Sequence, residues 1–576
     1  MLEKLKKFEM NPMFAASSAA RQTDMPDPVC DVGGYFIEDV ELRDGAKLKT
    51  KVIVPDKGEN WPCLYTRTPY PLFWEMEPTV MLPFVKQGYV VVIQACRGTN
   101  GSEGTYEPFQ NERNDGIDAI NWLVKQNWHN KKIATYGGSY MSYTQWIIAD
   151  KMPAEVITSY LDCFGINRYS QMYMNGMFRH DMYTSWAVQN GGVKADNEAQ
   201  IYDQALTIRP HNTFDEKLLG QKLPFYQKPI ATIERNDPYW QDSFWQTLLE
   251  MPAKIDRPVF IGEGWFDHNV EGVMTAIKGL RPEIRKKSKI LIGPWDHVGN
   301  FPGDRTYPNG KKHGEAHVKS MVEWFDRMLR GKGLDKPLKS EIYAIGEGKW
   351  HEIDSWPPKT NTMAFYPAKA GNLCPTAGDN ESASYLYDPK DPVTTVGGNA
   401  LLAWMGKLGH TPHGPRFQPT YEDRNDVLVF KSEPLDTPST IMGSIDIKLS
   451  VKTTAPDTSF MVKVSEEFSD GRTLNIVDGA TSILLRNESD HLLDYTPNEK
   501  IMLDIRLWDT AWNLQAGSRL RFDITSSNFP MYHVHPNKKG VWSEIESVDT
   551  ATQTIFFGAE ETMISLPIYD SQETVG

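Results

Sequence analysis

Short apolar runs rich in β-branched residues recur through the first third of the chain, at 51–54, 63–66, 89–94 and 133–136. Continuous apolar runs of this length suit strands covered on both faces, as in a parallel sheet. Between the last two, Ile117, Ile120, Leu123 and Val124 recur at helical spacing and predict one buried stripe across 111–126. Strand, helix, strand in that order is a βαβ unit. From Pro153 to Pro252 the texture changes: Met, Tyr and Trp crowd together, β-branched runs vanish, and the segment reads as a helical insertion. The α/β pattern resumes with buried-strand runs at 258–262 and 289–292, then a helix over 317–329 that Gly331 is placed to end. Beyond Trp356-Pro357-Pro358 the pattern alternates, at 445–451, 460–464, 501–507 and 520–524, with turn signals at Asp470-Gly471 and Asp478-Gly479. This predicts an antiparallel sandwich of jelly-roll type. The expected class is α/β, with a core built from 1–152 and 256–356, a helical cap at 153–255 and a β-sandwich at 357–576.

Composition narrows the partners. The 576 residues carry 61 basic and 75 acidic side chains, net −14, so the surface repels phosphate backbones and general nucleic-acid binding is not expected. Basic clusters are short, and Arg285-Lys286-Lys287 reads as a solvated helix face. The five cysteines are far apart with no C-x-x-C pair, which argues against a disulfide framework or zinc ribbon. With no run of about 18 apolar residues and no signal-peptide pattern at the start, the expectation is a reduced, cytoplasmic protein without a membrane segment. The oligomeric state is left open, a homo-oligomer included.

The sharpest chemical signal is Gly137-Gly138-Ser139-Tyr140, directly after the 133–136 strand and before a helix-forming stretch. A serine on such a turn is lifted out of the sheet, and the amide after it points where an oxyanion would form. A G-x-S-x-G motif is not completed, because Met141 stands two residues after the serine. A nucleophilic serine needs a histidine base, and the base needs a carboxylate to hold its tautomer. The 258–262 strand leads into Gly264-Trp265-Phe266-Asp267, and the 289–292 strand into Gly293-Pro294-Trp295-Asp296-His297. Both turns follow strands, in the acid-then-histidine order of α/β-hydrolases. Asp296 is a rival acid, but its adjacency to His297 in a tight turn makes it a poor orienter of that ring.

These residues carry a family resemblance. Arg67-Thr68-Pro69-Tyr70, Cys96-Arg97-Gly98-Thr99 with Gly101-Ser102-Glu103-Gly104, the Ser139 turn, the Asp267 and His297 turns and Ser526-Ser527-Asn528-Phe529-Pro530 are collinear over most of the chain. Together they resemble the CocE/NonD serine hydrolases, the group of cocaine esterase, X-Pro dipeptidyl peptidase and α-amino-acid ester hydrolase. The resemblance implies an α/β-hydrolase core, an inserted cap and a C-terminal jelly roll. It implies Ser139 as nucleophile, His297 as base, Asp267 as acid, and the Tyr70 hydroxyl and Tyr140 amide as the oxyanion hole. The expected activity is cleavage of a small-molecule ester or amide without metal or organic cofactor. Alternatives are an X-Pro dipeptidyl aminopeptidase, a β-lactam side-chain acylase or α-amino-acid ester hydrolase, and an inactive carbohydrate-binding protein. Tyr169, Tyr173 and Trp186 of the aromatic cap are the candidate acyl-pocket residues.

Overall fold

The computed structural model describes residues 5–191, 198–399 and 413–570. Its first layer is a ten-stranded sheet: β1 (Val32–Glu41), β2 (Lys47–Pro55), β3 (Cys63–Thr68), β4 (Val90–Ala95), β5 (Ile133–Gly138), β6 (Val156–Asp162), β7 (Val259–Gly264), β8 (Lys289–Gly293), β9 (Ser340–Ala344) and β10 (Lys349–Ile353). The spatial order is β1-β2-β4-β3-β5-β6-β7-β8-β9-β10. The strands from β4 to β9 pair in parallel, and antiparallel strands close both edges.

Successive residues of one strand enter opposite cores. Val90 and Val92 of β4 join the cluster containing Ile120, Leu123 and Trp146, whereas Val91 and Ile93 join the one containing Phe84, Trp324 and Phe325. Both faces are covered by helices, so both sets of side chains must be apolar. That is the physical origin of the unbroken apolar runs in the sequence. The helix Val318–Arg330 ends at Gly331, whose φ of 70° satisfies the left-handed cap.

Val156–Asp162 corrects the expected start of the insertion at 153. It is a strand of the core sheet, paired with β5 and β7. Thr158 and Ser159 break its apolar run and disguise it, although both are buried. The cap helices follow: Arg168–Met172, His180–Asn190 and Pro224–Ala231 pack around a largely aromatic core, whereas Ser243–Lys254 sends Trp245, Leu248 and Met251 into the core shared with the sheet.

The C-terminal region is β-rich, a 13-stranded sheet in two halves. Asn361–Ala368 joins them, pairing with Met563–Tyr569 and with Asn372–Cys374. Asp470-Gly471 sits in a hairpin connection, as expected, but Asp478-Gly479 is no turn. It lies inside the strand Thr473–Ser482, opposite Lys463 and Val462. A Cβ on Gly479 would stand 2.3 Å from Leu507 and 2.9 Å from Met174, so this glycine is there for close packing. Among the described residues no helix is long and apolar enough to cross a membrane.

Candidate active site

Three post-strand turns converge at the carboxyl ends of β5, β7 and β8. After β5 the backbone of Ser139 adopts φ 55° and ψ −129°, a conformation costly for a non-glycine residue. The preceding glycines allow it. A Cβ on Gly137 would lie 2.5 Å from that of Met141, and one on Gly138 would lie 3.0 Å from the Cys163 sulfur. Ser139 stays half-buried, so its hydroxyl is not sealed off. Tyr140 opens the next helix, and its N–H therefore has no intrahelical acceptor.

The Ser139 Oγ lies 3.0 Å from His297 Nε2, and His297 Nδ1 lies 2.8 Å from Asp267 Oδ2. With a neutral imidazole, Nδ1–H donates to the carboxylate and the hydroxyl donates to Nε2. Asp267 is fully buried, and its Oδ1 accepts the Asn269 N–H at 2.7 Å. Burial alone would depress the His297 pKa. The charge and hydrogen bond of Asp267, with help from Asp162 and Asp296, outweigh it and hold the imidazole above its ordinary value. Asp296 faces elsewhere: its Oδ2 meets His413 Nε2 at 2.8 Å, and its Oδ1 accepts the Val298 and Asn300 N–H groups.

Tyr70 reaches the same place from the end of β3. Its ring stands edge-on to that of Tyr140, 6.0 Å between centroids, and the nearby Trp186 indole favours the ionised form of its hydroxyl. Burial pushes that hydroxyl up to about 12, so it remains a donor at neutral pH. Trp186 therefore lines the site. Tyr169 and Tyr173 do not fit the acyl-pocket expectation: they stack on each other at 5.4 Å within the cap's own core. Their hydroxyls are taken by the carbonyls of Ile233 and Pro229.

The potential metal donors grouped here are Cys163, Asp267 and His297, all within 4.8 Å of one another. The imidazole and carboxylate already bond each other, and burial keeps the thiol protonated. The group suits proton transfer better than an ion.

The chain matches the family model of the X-Pro dipeptidyl-peptidase (S15 family) over residues 44–299. A second model, the X-Pro dipeptidyl-peptidase C-terminal non-catalytic domain, matches residues 320–563. Cocaine esterase of Rhodococcus sp. (strain MB1 Bresler) is 27% identical over 572 residues, covering 92% of this chain and 97% of that protein. A CocE/NonD family hydrolase from Staphylococcus aureus has the same fold, with a TM-score of 0.67 at 17% identity over 93% of this chain and 94% of that one. The chain belongs to the CocE/NonD hydrolase family. An α-amino acid ester hydrolase structure shares the fold more closely, with a TM-score of 0.80 at 22% identity, covering 95% of this chain and 99% of that one.

The remaining CocE/NonD motifs brace the site. Arg67 pairs with Glu112 at 3.0 Å, both 2% exposed, and Glu112 accepts the Tyr140 hydroxyl at 3.1 Å. Arg97 pairs with Asp115 and Asp44, which fixes the loop after β4. The motif at Ser526 to Pro530 docks the cap: the Pro530 and Met531 carbonyls accept the Asp181 and His180 N–H groups, each at 2.9 Å. One neighbour had no signal in the sequence. Asn399 donates to the Trp265 and Asp267 carbonyls at 2.8 Å and clamps the acid turn from the C-terminal region. Glu263 is fully buried beside Asp267, and burial and that charge raise its pKa well above the usual carboxylate range. His268 packs at a tilt against His297, 4.5 Å between ring centroids, its pKa pushed well down by burial and by His297. Only the folded sheet brings such residues together.

Proposed function

We propose that this CocE/NonD hydrolase cleaves ester and amide bonds of small acyl substrates through an acyl-enzyme on Ser139, with His297 as general base and Asp267 as its orienting acid. The observation that carries this reading is the continuous chain Ser139 Oγ–His297 Nε2–Asp267 Oδ2, at 3.0 and 2.8 Å, on three turns of one sheet. His297 takes the hydroxyl proton as Ser139 attacks the carbonyl. The imidazolium formed is stabilised by the buried Asp267 carboxylate. The Tyr140 amide and Tyr70 hydroxyl supply hydrogen bonds to the tetrahedral oxyanion, where preorganised donors contribute most. His297 then returns the proton to the leaving alcohol or amine, and water attacks the acyl-enzyme by the reverse sequence.

Ser139→Ala is expected to lower kcat on a p-nitrophenyl ester by about 10⁴-fold or more, with thermal stability close to wild type. Near-full activity in that variant would overturn the assignment. An X-Pro-p-nitroanilide run alongside separates peptidase from esterase. A substrate ammonium needs a free carboxylate near Ser139. Glu263 is fully buried, with burial and the Asp267 charge disfavouring its ionised form, and Asp162 lies 3.3 Å from His317. The ester is therefore expected to be the better substrate.

A further inference from the structure

We propose that His317 is a positioning residue for the hydrolysis: through Asp162 it holds the nucleophile turn, and through Trp295 the acid and base turns. The inference rests on the acyl-enzyme reading of Ser139. Asp162 ends β6, and its carbonyl accepts the Ser139 N–H at 3.0 Å. Room for its carboxylate is made by Gly262, its partner in β7, where a Cβ would stand 2.3 Å from Oδ1. Among the described residues no lysine or arginine comes within 4.0 Å of this carboxylate, and its side-chain partner is His317, with Nε2 3.3 Å from Oδ2. With the proton on Nε2, the imidazole donates to the carboxylate.

The same imidazole packs at a tilt on the Trp295 ring, 4.4 Å between centroids. Trp295 stands two residues before His297, and its carbonyl accepts the N–H of Phe266, the neighbour of Asp267, at 3.2 Å. A Cβ on Gly264 would lie 2.1 Å from the Trp295 carbonyl oxygen, and one on Gly293 1.8 Å from its ring. Both catalytic turns are therefore built tightly against this indole. The backbone at His317 is costly: Ala316 (φ 45°, ψ 41°) and His317 (φ 51°, ψ 25°) are successive non-glycine residues in the left-handed region. His317 precedes the helix Val318–Arg330, yet its side chain makes no capping hydrogen bond there, so helix initiation does not account for it. The buried ring instead reaches Asp162 and Trp295 together. Because the Asp162 backbone carries the serine turn, a displaced Asp162 displaces Ser139. Small misplacements of a nucleophile are felt in turnover more than in binding.

Two variants separate the contacts. His317→Phe keeps a ring for Trp295 and removes the donor to Asp162, whereas His317→Gln keeps a donor near the Nε2 position and removes the ring. On p-nitrophenyl butyrate, His317→Phe is expected to lower kcat about 10- to 100-fold with KM within about 3-fold of wild type. His317→Gln should recover about 5-fold or more of that loss. In an Asp162→Asn background, His317→Phe should cost less than about 3-fold, so the double variant departs from the product of the singles. Circular dichroism establishes that each variant is folded. Should His317→Phe fail to fold, His317→Asn, which tolerates the left-handed backbone and is too short to reach Asp162, takes its place in the same cycle. A wild-type kcat in the donor-less variant, a loss confined to KM, or losses that simply multiply would overturn the proposal. Fluorophosphonate labelling separates the two readings. Equal labelling rates at Ser139 in wild type and His317→Phe remove the positioning role alone, whereas a wild type that takes no label at Ser139 removes the acyl-enzyme reading beneath it.

Discussion

His297 is under two opposed pressures, and their balance sets a measurable pH dependence. Burial favours the neutral ring, while the Asp267 charge and hydrogen bond favour the imidazolium and prevail. The base works only when neutral, so activity should fall as pH drops through a pKa above the ordinary 6.5. Asp267→Asn removes the raising influence. The acid limb of kcat/KM should then move to lower pH, with kcat down about 10⁴-fold, as pH–rate profiles on a neutral ester would show. An acid limb unmoved by Asp267→Asn would detach the carboxylate from the base. At this scale the sequence was informative where order along the chain encodes position. Asp267 and His297 follow successive buried strands, so their meeting could be read in advance. Tyr169 and Tyr173 could not be placed that way. An aromatic in a cap can face the core or the ligand, and composition does not distinguish them until Ile233 and Pro229 are seen to hold their hydroxyls.

Between elements, the buried Arg67–Glu112 pair ties the end of β3 to the helix Glu112–Leu123 and, through the Tyr140 hydroxyl, to the helix after Ser139. Glu112→Ala leaves the Arg67 guanidinium buried without its carboxylate and should cost about 3–5 kcal/mol, read from the urea midpoint. Replacing it by Gln keeps a hydrogen-bonding carbonyl for the tyrosine and should cost less. Equal losses would mean that volume rather than charge matters there. Strand recognition worked where both faces of the sheet demand apolar residues, as in β4. It failed at β6, where buried Thr158 and Ser159 satisfy their hydroxyls locally, Thr158 on the Pro258 carbonyl and Ser159 against Thr135. Asp478-Gly479 misled for a different reason: a glycine demanded by packing carries the same letters as one demanded by a turn.

At the scale of the whole molecule, the cap is glued to the C-terminal region by imidazoles that resist protonation. His180 and His211 of the cap lie 4.6 Å apart, and Trp542 of the C-terminal region stacks on His211 at 5.1 Å and on His533 at 4.4 Å. Burial pushes His180 down to about 4 and holds His211 and His533 well below 6.5. The unfolded chain therefore binds these protons first. Stability should be lost as pH falls from about 6.5 toward 4, and His211→Asn should flatten that slope in urea titrations. None of this docking was legible in the sequence, because its partners lie more than 300 residues apart, as in the Phe178 N–H to His533 Nδ1 bond. The central claim is that Ser139 attacks with the help of His297. Labelling with a fluorophosphonate, followed by peptide mass spectrometry, tests it most directly. The expected result is a single adduct on Ser139, absent in Ser139→Ala and formed about 10³-fold or more slowly in His297→Ala. An adduct on a different serine, or a labelling rate indifferent to His297→Ala, would contradict it.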